Sequence, residues 1–312
     1  MKLMLSLIFL NIFFLNKDTL IKEGLNYAYH LNFKKAESCF YYVSKMYPDD
    51  PTGYFFQSLL LQLIMLDSFN DRYKNIYYEK LKKTINLAKK NPSDFYLGCA
   101  YLYWALFEGW RKNYWQSYFL GIKTPYYFKQ ALIKDSSLFD CYLGLGLYEY
   151  FKAKANKYIF SLKIFGDKEK ALKFLSLAND NSKILKITSK YAYAWVLAEE
   201  RKFNEAEAII KTLLDYYPNN KIFLRLLRDI YYKKGDYQKC IATAKKLQIL
   251  EKRKILENEL VLGKAYYFLK DYKKAKEHFE FIIENKNKFK NQVRFKDHYQ
   301  ETLRYFQKVK WY

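Results

Sequence analysis

Leu262-Gly263-Lys264-Ala265-Tyr266, followed by Lys270-Asp271-Tyr272, Ala275 and Phe279, is the stretch that decides the fold. Gly263 and Tyr266 are three residues apart, which places them on one face of a helix. Lys270-Asp271 reads as a tight turn. Beyond it, Tyr272, Ala275 and Phe279 step by three and four along a second helix. Two helices crossing in a hairpin need small side chains where their backbones approach and large ones in the grooves beside them. Gly263 and Ala275 meet the first need, Tyr266 and Phe279 the second.

The pattern repeats outward from there. Ala171, Ala206, Cys240 and Ala275 are 35, 34 and 35 residues apart. Phe203, Tyr237 and Tyr272 each stand three residues before one of them, and Gly235-Asp236 supplies the turn before Tyr237. A fixed period in the mid-thirties marks stacked helical hairpins, because a single hairpin cannot bury both faces. Near the other end, Gly24, Tyr27, Phe33, Ala36, Phe40 and Pro48 keep the same spacing. The unit ending at Pro218 has Phe203 and Ala206 in phase, with Leu197 where the tyrosine would stand.

With L-G-x-x-Y followed by A-x-x-x-F, the chain resembles the tetratricopeptide repeat (TPR) family, and in particular its exported bacterial members. The resemblance implies an all-α fold, a right-handed solenoid of antiparallel helical hairpins. It is strongest over residues 187–288 and good over 19–50. The expected organisation is a signal peptide or N-terminal anchor (1–17), a TPR-like unit (18–50), divergent helical repeats (51–166), TPR-like repeats (167–288) and a C-terminal capping helix (289–312). The middle is helical but out of phase, and Tyr150 to Gly166 reads as an insertion between two helices of one unit. In the last helix Val293, Phe306 and Val309 are expected to cover the open end of the stack.

Lys2 precedes an apolar run, Leu3 to Leu15, broken only by Ser6 and Asn11. A basic start and a short apolar core resemble a secretory signal peptide. The run falls short of the roughly 20 residues that a membrane span needs. No small-x-small cleavage site follows, so an uncleaved anchor or a helix packed on the first repeat are the alternatives. The expected location is exported, periplasmic or otherwise at the cell envelope.

The chain carries 55 Lys and Arg against 32 Asp and Glu, a net charge of +23. Such a balance points to an anionic partner, whether nucleic acid, a lipid surface or an acidic protein. Lysines scattered on solvated helix faces, such as Lys34-Lys35, Lys82-Lys83 and Lys273-Lys274, account for much of it. Aromatic residues at 20% argue against disorder.

Nothing assembles into a reaction centre. Cys39, Cys99, Cys141 and Cys240 lack metal or redox spacing and are expected to be buried small thiols. His30, His278 and His298 stand in no metal or nucleophile motif, and His278 is expected at the surface. Glu199-Glu200 reads as a solvated pair at a helix end. No metal site, cofactor or catalytic set is expected, so the chain is not expected to be an enzyme. Trp104, Trp110 and Trp115, among Tyr101, Tyr103, Phe107, Tyr114 and Tyr118, read as core, with a stacking platform for sugars or bases as the alternative.

The resemblance also implies where a partner would bind. First helices line the concave side of such a stack, and peptide contacts come from them. The positions carried over are Tyr191 and Trp195 in one unit, Arg225, Asp229 and Tyr232 in the next, and Lys264 and Tyr267 in the last. This mixture suits an extended peptide or a partner helix. Family members that grip a C-terminal carboxylate use lysine and asparagine. Arg225 with Asp229, and Leu260 with Lys264, depart from that set. The expected function is a non-enzymatic protein-protein interaction scaffold at the envelope. The alternative is a basic cytoplasmic solenoid binding nucleic acid, although no nucleic-acid motif is present. Peripheral membrane association is compatible with the same charge.

Overall fold

Short polar side chains punctuate the chain. Asn16, Asn32, Asp50, Asp167, Asn220, Asp236 and Asp271 each accept a backbone N–H of the helix they precede. That satisfies one of the four donors every helix start leaves open. The computed structural model describes residues 16–155 and 166–312 of this all-helical chain, and among them the helices pack in successive antiparallel pairs.

The first hairpin is α1 (Lys17–Tyr29) with α2 (Phe33–Met46), and the second is α3 (Pro51–Ser68) with α4 (Lys74–Lys90). Next come α5 (Asp94–Trp110), the short α6 (Tyr114–Gly121) and α7 (Thr124–Lys134). Then α8 (Cys141–Ala155) pairs with α9 (Lys168–Asn181), α10 (Lys186–Glu199) with α11 (Phe203–Tyr216), and α12 (Lys221–Lys234) with α13 (Tyr237–Glu251). The last hairpin is α14 (Leu256–Phe268) with α15 (Tyr272–Glu284). A turn of helix, α16 (Lys286–Phe289), leads to α17 (Phe295–Val309), which packs on both α14 and α15. The apolar run Leu3 to Leu15 lies outside the described residues, as does most of the stretch read as an insertion; Tyr150 to Ala155 belong to α8.

The small residues of the repeat sit at the helix crossings. Ala36, Ala171, Ala206, Cys240 and Ala275 are all fully buried. The glycines of the first helices face the phenylalanines of the second. A methyl group added at Gly24 would stand 2.4 Å from the Phe40 ring, and one at Gly263 would stand 2.4 Å from Phe279. The two ends of the chain therefore use the same lock, a ring laid flat on a bare backbone.

The same lock explains the lost register in the middle. Gly98 of α5 and Gly144 of α8 both meet the ring of Phe128, which comes from α7. So α7, not α6, supplies the ring that α5 needs. The eight-residue α6 is an extra element between them, and it breaks the mid-thirties period without breaking the stack.

Where the sequence suggested a solvated acidic pair, the structure shows two tied carboxylates. Glu199 pairs with Lys154 at 2.9 Å and with Lys233, and Glu200 accepts from Tyr150 Oη at 3.1 Å and Lys168 Nζ at 2.6 Å. They join α10 to helices on either side, a long-range role that local sequence does not reveal. His278 is likewise half-covered rather than a surface residue. Its Nδ1 lies 2.7 Å from Glu259, a fully buried carboxylate that also accepts from Gln248 Nε2 at 2.6 Å.

Two consequences are measurable. Gly263→Ala should destabilise the chain by about 1–3 kcal/mol in urea unfolding, because the added methyl collides with a ring that has no room to retreat. A change below about 0.5 kcal/mol would show that Phe279 yields freely. Glu207 on α11 accepts from Tyr231 Oη at 3.1 Å and Lys234 Nζ at 3.2 Å and pairs with Lys211 at 2.8 Å. Burial raises its carboxyl, but Lys211, Lys234 and Tyr231 outweigh that and hold it down at about 2, against an ordinary 4.5. A depressed carboxylate stabilises the fold above its unfolded value and stops doing so as pH falls through the folded one. Glu207→Gln should therefore cost about 1 kcal/mol at neutral pH, after allowance for solvent screening, and should flatten the acid limb of thermal melting from pH 4.5 towards 2. An unchanged acid limb would show that these pairs do not couple the two units.

Candidate functional site

The first helices α1, α3, α5, α8, α10, α12 and α14 line the inside of the superhelix, and the superhelix turns tightly enough that α3 meets α12. Tyr29, at the end of α1, stacks on Phe223 with ring centroids 6.0 Å apart and hydrogen-bonds Thr188 of α10 at 2.8 Å. Asn220 donates to the Tyr29 carbonyl at 2.8 Å. Lys112 pairs with Asp297 of α17.

The closest tie is at the C-terminus of α3. Its last carbonyls have no helical partner, and the negative end of the helix dipole lies there. Arg225 of α12 donates to Leu66 O at 3.0 Å and to Asp67 O at 2.8 Å. Arg253 donates to Ser68 O at 3.3 Å, and the Val293 N–H donates to Phe69 O at 3.0 Å. Phe69 itself turns left-handed (φ 53°) and lies under the Arg225 guanidinium, 4.3 Å from ring centroid to carbon. Glu251 takes the remaining charge of Arg225 at 2.6 Å, and Lys221 pairs with Asp67 at 2.8 Å.

Between the two halves of the chain lies a half-open cavity of about 240 Å³. Of the seven carried-over positions, Tyr191, Trp195, Arg225 and Asp229 line it. Ile222, Leu226 and Glu257 line the same wall, and Leu66, Phe69, Trp110, Arg294 and His298 complete it from the other. No repeat position points to the second group. Tyr232, Lys264 and Tyr267 lie apart from the cavity, under the last helix. Lys264 Nζ is 2.8 Å from Glu301 and sits over the Tyr232 ring at 4.6 Å, while Tyr267 meets Tyr305 at 5.4 Å. The seven positions thus divide into a group of four around the cavity and a group of three that α17 covers.

The charges beside the cavity are arranged in pairs. Arg228 is fully buried; its Nε and Nη2 donate to Asp229 Oδ1 at 2.9 and 2.8 Å, and its Nη1 donates to Asn258 Oδ1 at 2.9 Å. Glu257 stands 3.3 Å from the same guanidinium. Desolvation raises the Asp229 carboxyl above its ordinary value, against the pull of Arg228. Yet 37% of its side-chain surface is accessible, because it opens on the cavity. For Glu257, burial also works upward, but Arg228, then His298 and Arg225, hold it below the ordinary value. Burial lowers His298, while the Glu257 carboxylate pulls it the other way. Burial also pushes the Cys141 and Cys240 thiols up to about 12, far from a nucleophile's range. Among the described residues no three His, Cys, Asp or Glu side chains form a metal-binding group.

A wider cleft of about 760 Å³ lies between Lys17, Ile21 and Leu25 of α1, Thr52 of α3, Tyr96 of α5 and Lys183 before α10. Lys17 and Asp50 bind one another across it at 2.8 Å, and none of the seven carried-over positions lines it. We therefore place the candidate site in the inner cavity.

No family model matches the chain, and no curated protein does. Solved structures do. The human IFIT1 dimer with m7Gppp-AAAA is 15% identical and has a TM-score of 0.59, covering 95% of this chain; the chain spans 63% of that protein. PilW, a widely conserved type IV pilus biogenesis factor, is 14% identical at TM-score 0.52, with 79% of this chain and 98% of that one covered. A tetratricopeptide repeat protein from Parabacteroides merdae ATCC 43184 is 14% identical at TM-score 0.44, covering 92% and 98%. The protein is a helical-repeat solenoid. Its fold is that of the tetratricopeptide repeat proteins.

Arg225→Met tests the tie that shapes the site. It leaves Glu251 buried without its cation and should cost about 3–5 kcal/mol. Amide hydrogen exchange at Phe69 and Asn70 should rise more than at α15. A uniform rise along the chain would mean that Arg225 stabilises the whole fold without specifically holding the end of α3.

Proposed function

We propose that this chain is a non-enzymatic interaction scaffold that holds a protein partner at the cell envelope. The observation that carries this reading is the inner cavity, where Tyr191, Trp195, Arg225 and Asp229 converge without any catalytic constellation. Its size favours one or two inserted side chains over a long extended strand. The partner therefore presents a short anchor, such as the end of a helix, to a wall of aromatic rings and paired charges. Tyr232, Lys264 and Tyr267 serve such a partner only if α17 moves aside. The apolar run Leu3 to Leu15 supports the envelope location, and the likeness of fold to PilW is compatible with it.

The nucleic-acid reading has a precedent in IFIT1 with m7Gppp-AAAA, but that likeness concerns the fold. Here Asp229 and Glu257 both face the cavity, and two carboxylates oppose a phosphate chain.

A photo-crosslinking residue in place of Trp195 tests the proposal in native cells, with one in place of the outward Lys246 as control. A discrete adduct should form at 195 in an envelope fraction, and Asp229→Arg on the same chain should abolish it. Equal adducts at both positions would remove the inner site from the reading. A full-length chain confined to the cytosol would remove the envelope.

A further inference from the structure

The short helix α6 presents a surface unlike any other second helix. Its sequence, Tyr114-Trp115-Gln116-Ser117-Tyr118-Phe119-Leu120-Gly121, has no charged residue. Only Leu120 is buried. Trp115 is 76% exposed, Tyr114 62%, Phe119 55% and Tyr118 47%. The outer faces of α13 and α15 carry Lys239, Lys245, Lys246, Lys273, Lys274 and Glu277 instead. A soluble repeat turns charge outward in this way, whereas α6 turns rings outward. The expectation that these residues form core is therefore wrong for Trp115, Tyr114 and Tyr118, while Trp104 and Trp110 are partly buried against the core.

From Gly109 to Lys134 the sequence has no Asp or Glu, while Arg111, Lys112, Lys123, Lys129 and Lys134 flank the rings. Carboxylates from elsewhere pair with Arg111 (Asp71, Glu108), Lys112 (Asp297) and Lys134 (Asp94), which leaves Lys123 and Lys129 as the cations beside the rings with no ion pair among the described residues. Lys123 and Lys129 are exposed. Tyr126 of α7, 62% exposed, continues the aromatic face, and Tyr148 of α8 lies within electrostatic reach of Tyr118. The stack does not need this helix, because α7 already supplies Phe128 to the crossing.

Trp, Tyr and Phe with flanking Lys and Arg are the side chains that settle at a membrane–water boundary, where a ring is half in hydrocarbon and a cation meets phosphate. A second copy of this chain fits less well, since a two-fold contact would bring Lys123 and Lys129 against their own counterparts. Neither cavity described above is lined by a residue of α6. We propose that this face docks peripherally on an anionic lipid surface, with Trp115, Tyr118 and Phe119 at headgroup depth and the neighbouring lysines over lipid phosphates. Among the described residues no helix is long and apolar enough to cross a membrane, so α6 would lie on the surface rather than span it.

The test uses the full chain and vesicles of phosphatidylcholine, alone or mixed in equal parts with phosphatidylglycerol. Because Leu3 to Leu15 is also apolar, binding alone is not the readout. Trp311 is the other strongly exposed tryptophan, at 85%, and is replaced by Phe so that Trp115 reports the surface. The expected result is flotation with the mixed vesicles, a blue shift, and quenching of the emission by brominated acyl chains. With Trp115→Ser, Tyr118→Ser and Phe119→Ser combined, retention should fall at least about tenfold while helicity stays unchanged, since these side chains are exposed. Flotation without quenching, or flotation that the triple variant retains, would show that another segment holds the membrane and would overturn the proposal. So would no flotation at all. Light scattering that shows a dimer lost in the triple variant would assign the face to a second copy instead.

Discussion

Three backbone carbonyls at the end of one helix, and a fourth just beyond it, set the shape of this molecule. A helix end leaves its last carbonyls without partners, and burying them unmet is costly. Here Leu66, Asp67, Ser68 and Phe69 find donors in Arg225, Arg253 and the Val293 N–H, all from the opposite end of the chain. Charge-assisted bonds of this kind contribute about 1.5–3 kcal/mol each, so the two from Arg225 alone favour contact over separation. The curvature that stacked hairpins would adopt anyway is thereby drawn into a closed turn. The inner cavity and its aromatic and charged lining follow from that closure.

The closure changes what the inner face can offer. In an open array the first helices present a long groove. Here the tip of the α3–α4 hairpin occupies one part and α17 covers another. Arg225, placed by its repeat position as a contact for a partner, already has three acceptors within the chain. Trp195 retains contacts with Tyr150, Phe151 and Lys154 on its own side. What stays open is narrow and chemically mixed, and it selects for a small inserted group.

Much of the fold was legible because its determinants are local and periodic. Gly263 and Ala275 announce a crossing by their size, and Phe279 announces the ring that fills it. Four of the seven inward positions do meet around one cavity. The closure left no such trace. Arg225 reaches carbonyls that any residue would carry, 158 and 159 residues away along the chain, so no pattern in sequence marks them. The pairing of Glu199 with Lys154 and Lys233 is invisible for the same reason. The aromatic run around Trp104 to Tyr118 misled in another way. Its spacing fits a buried helix, but the Asn113 break starts a new, short helix there that turns its rings outward. The signal that could have found this was the absence of acidic residues from Gly109 to Lys134.

A stack whose ends are tied is no longer a polymer of interchangeable units. In an open solenoid, stability is close to a sum over neighbours, and a unit can be duplicated or lost with modest consequence. Inserting one more hairpin here would carry α12 past the end of α3, and the donors and carbonyls would no longer meet. The number of hairpins is thus fixed by geometry as firmly as the strand number of a barrel. Gene duplications that lengthen open arrays would be rejected by this one, leaving drift in its outer faces, or small additions such as α6, as the tolerated route to new surfaces.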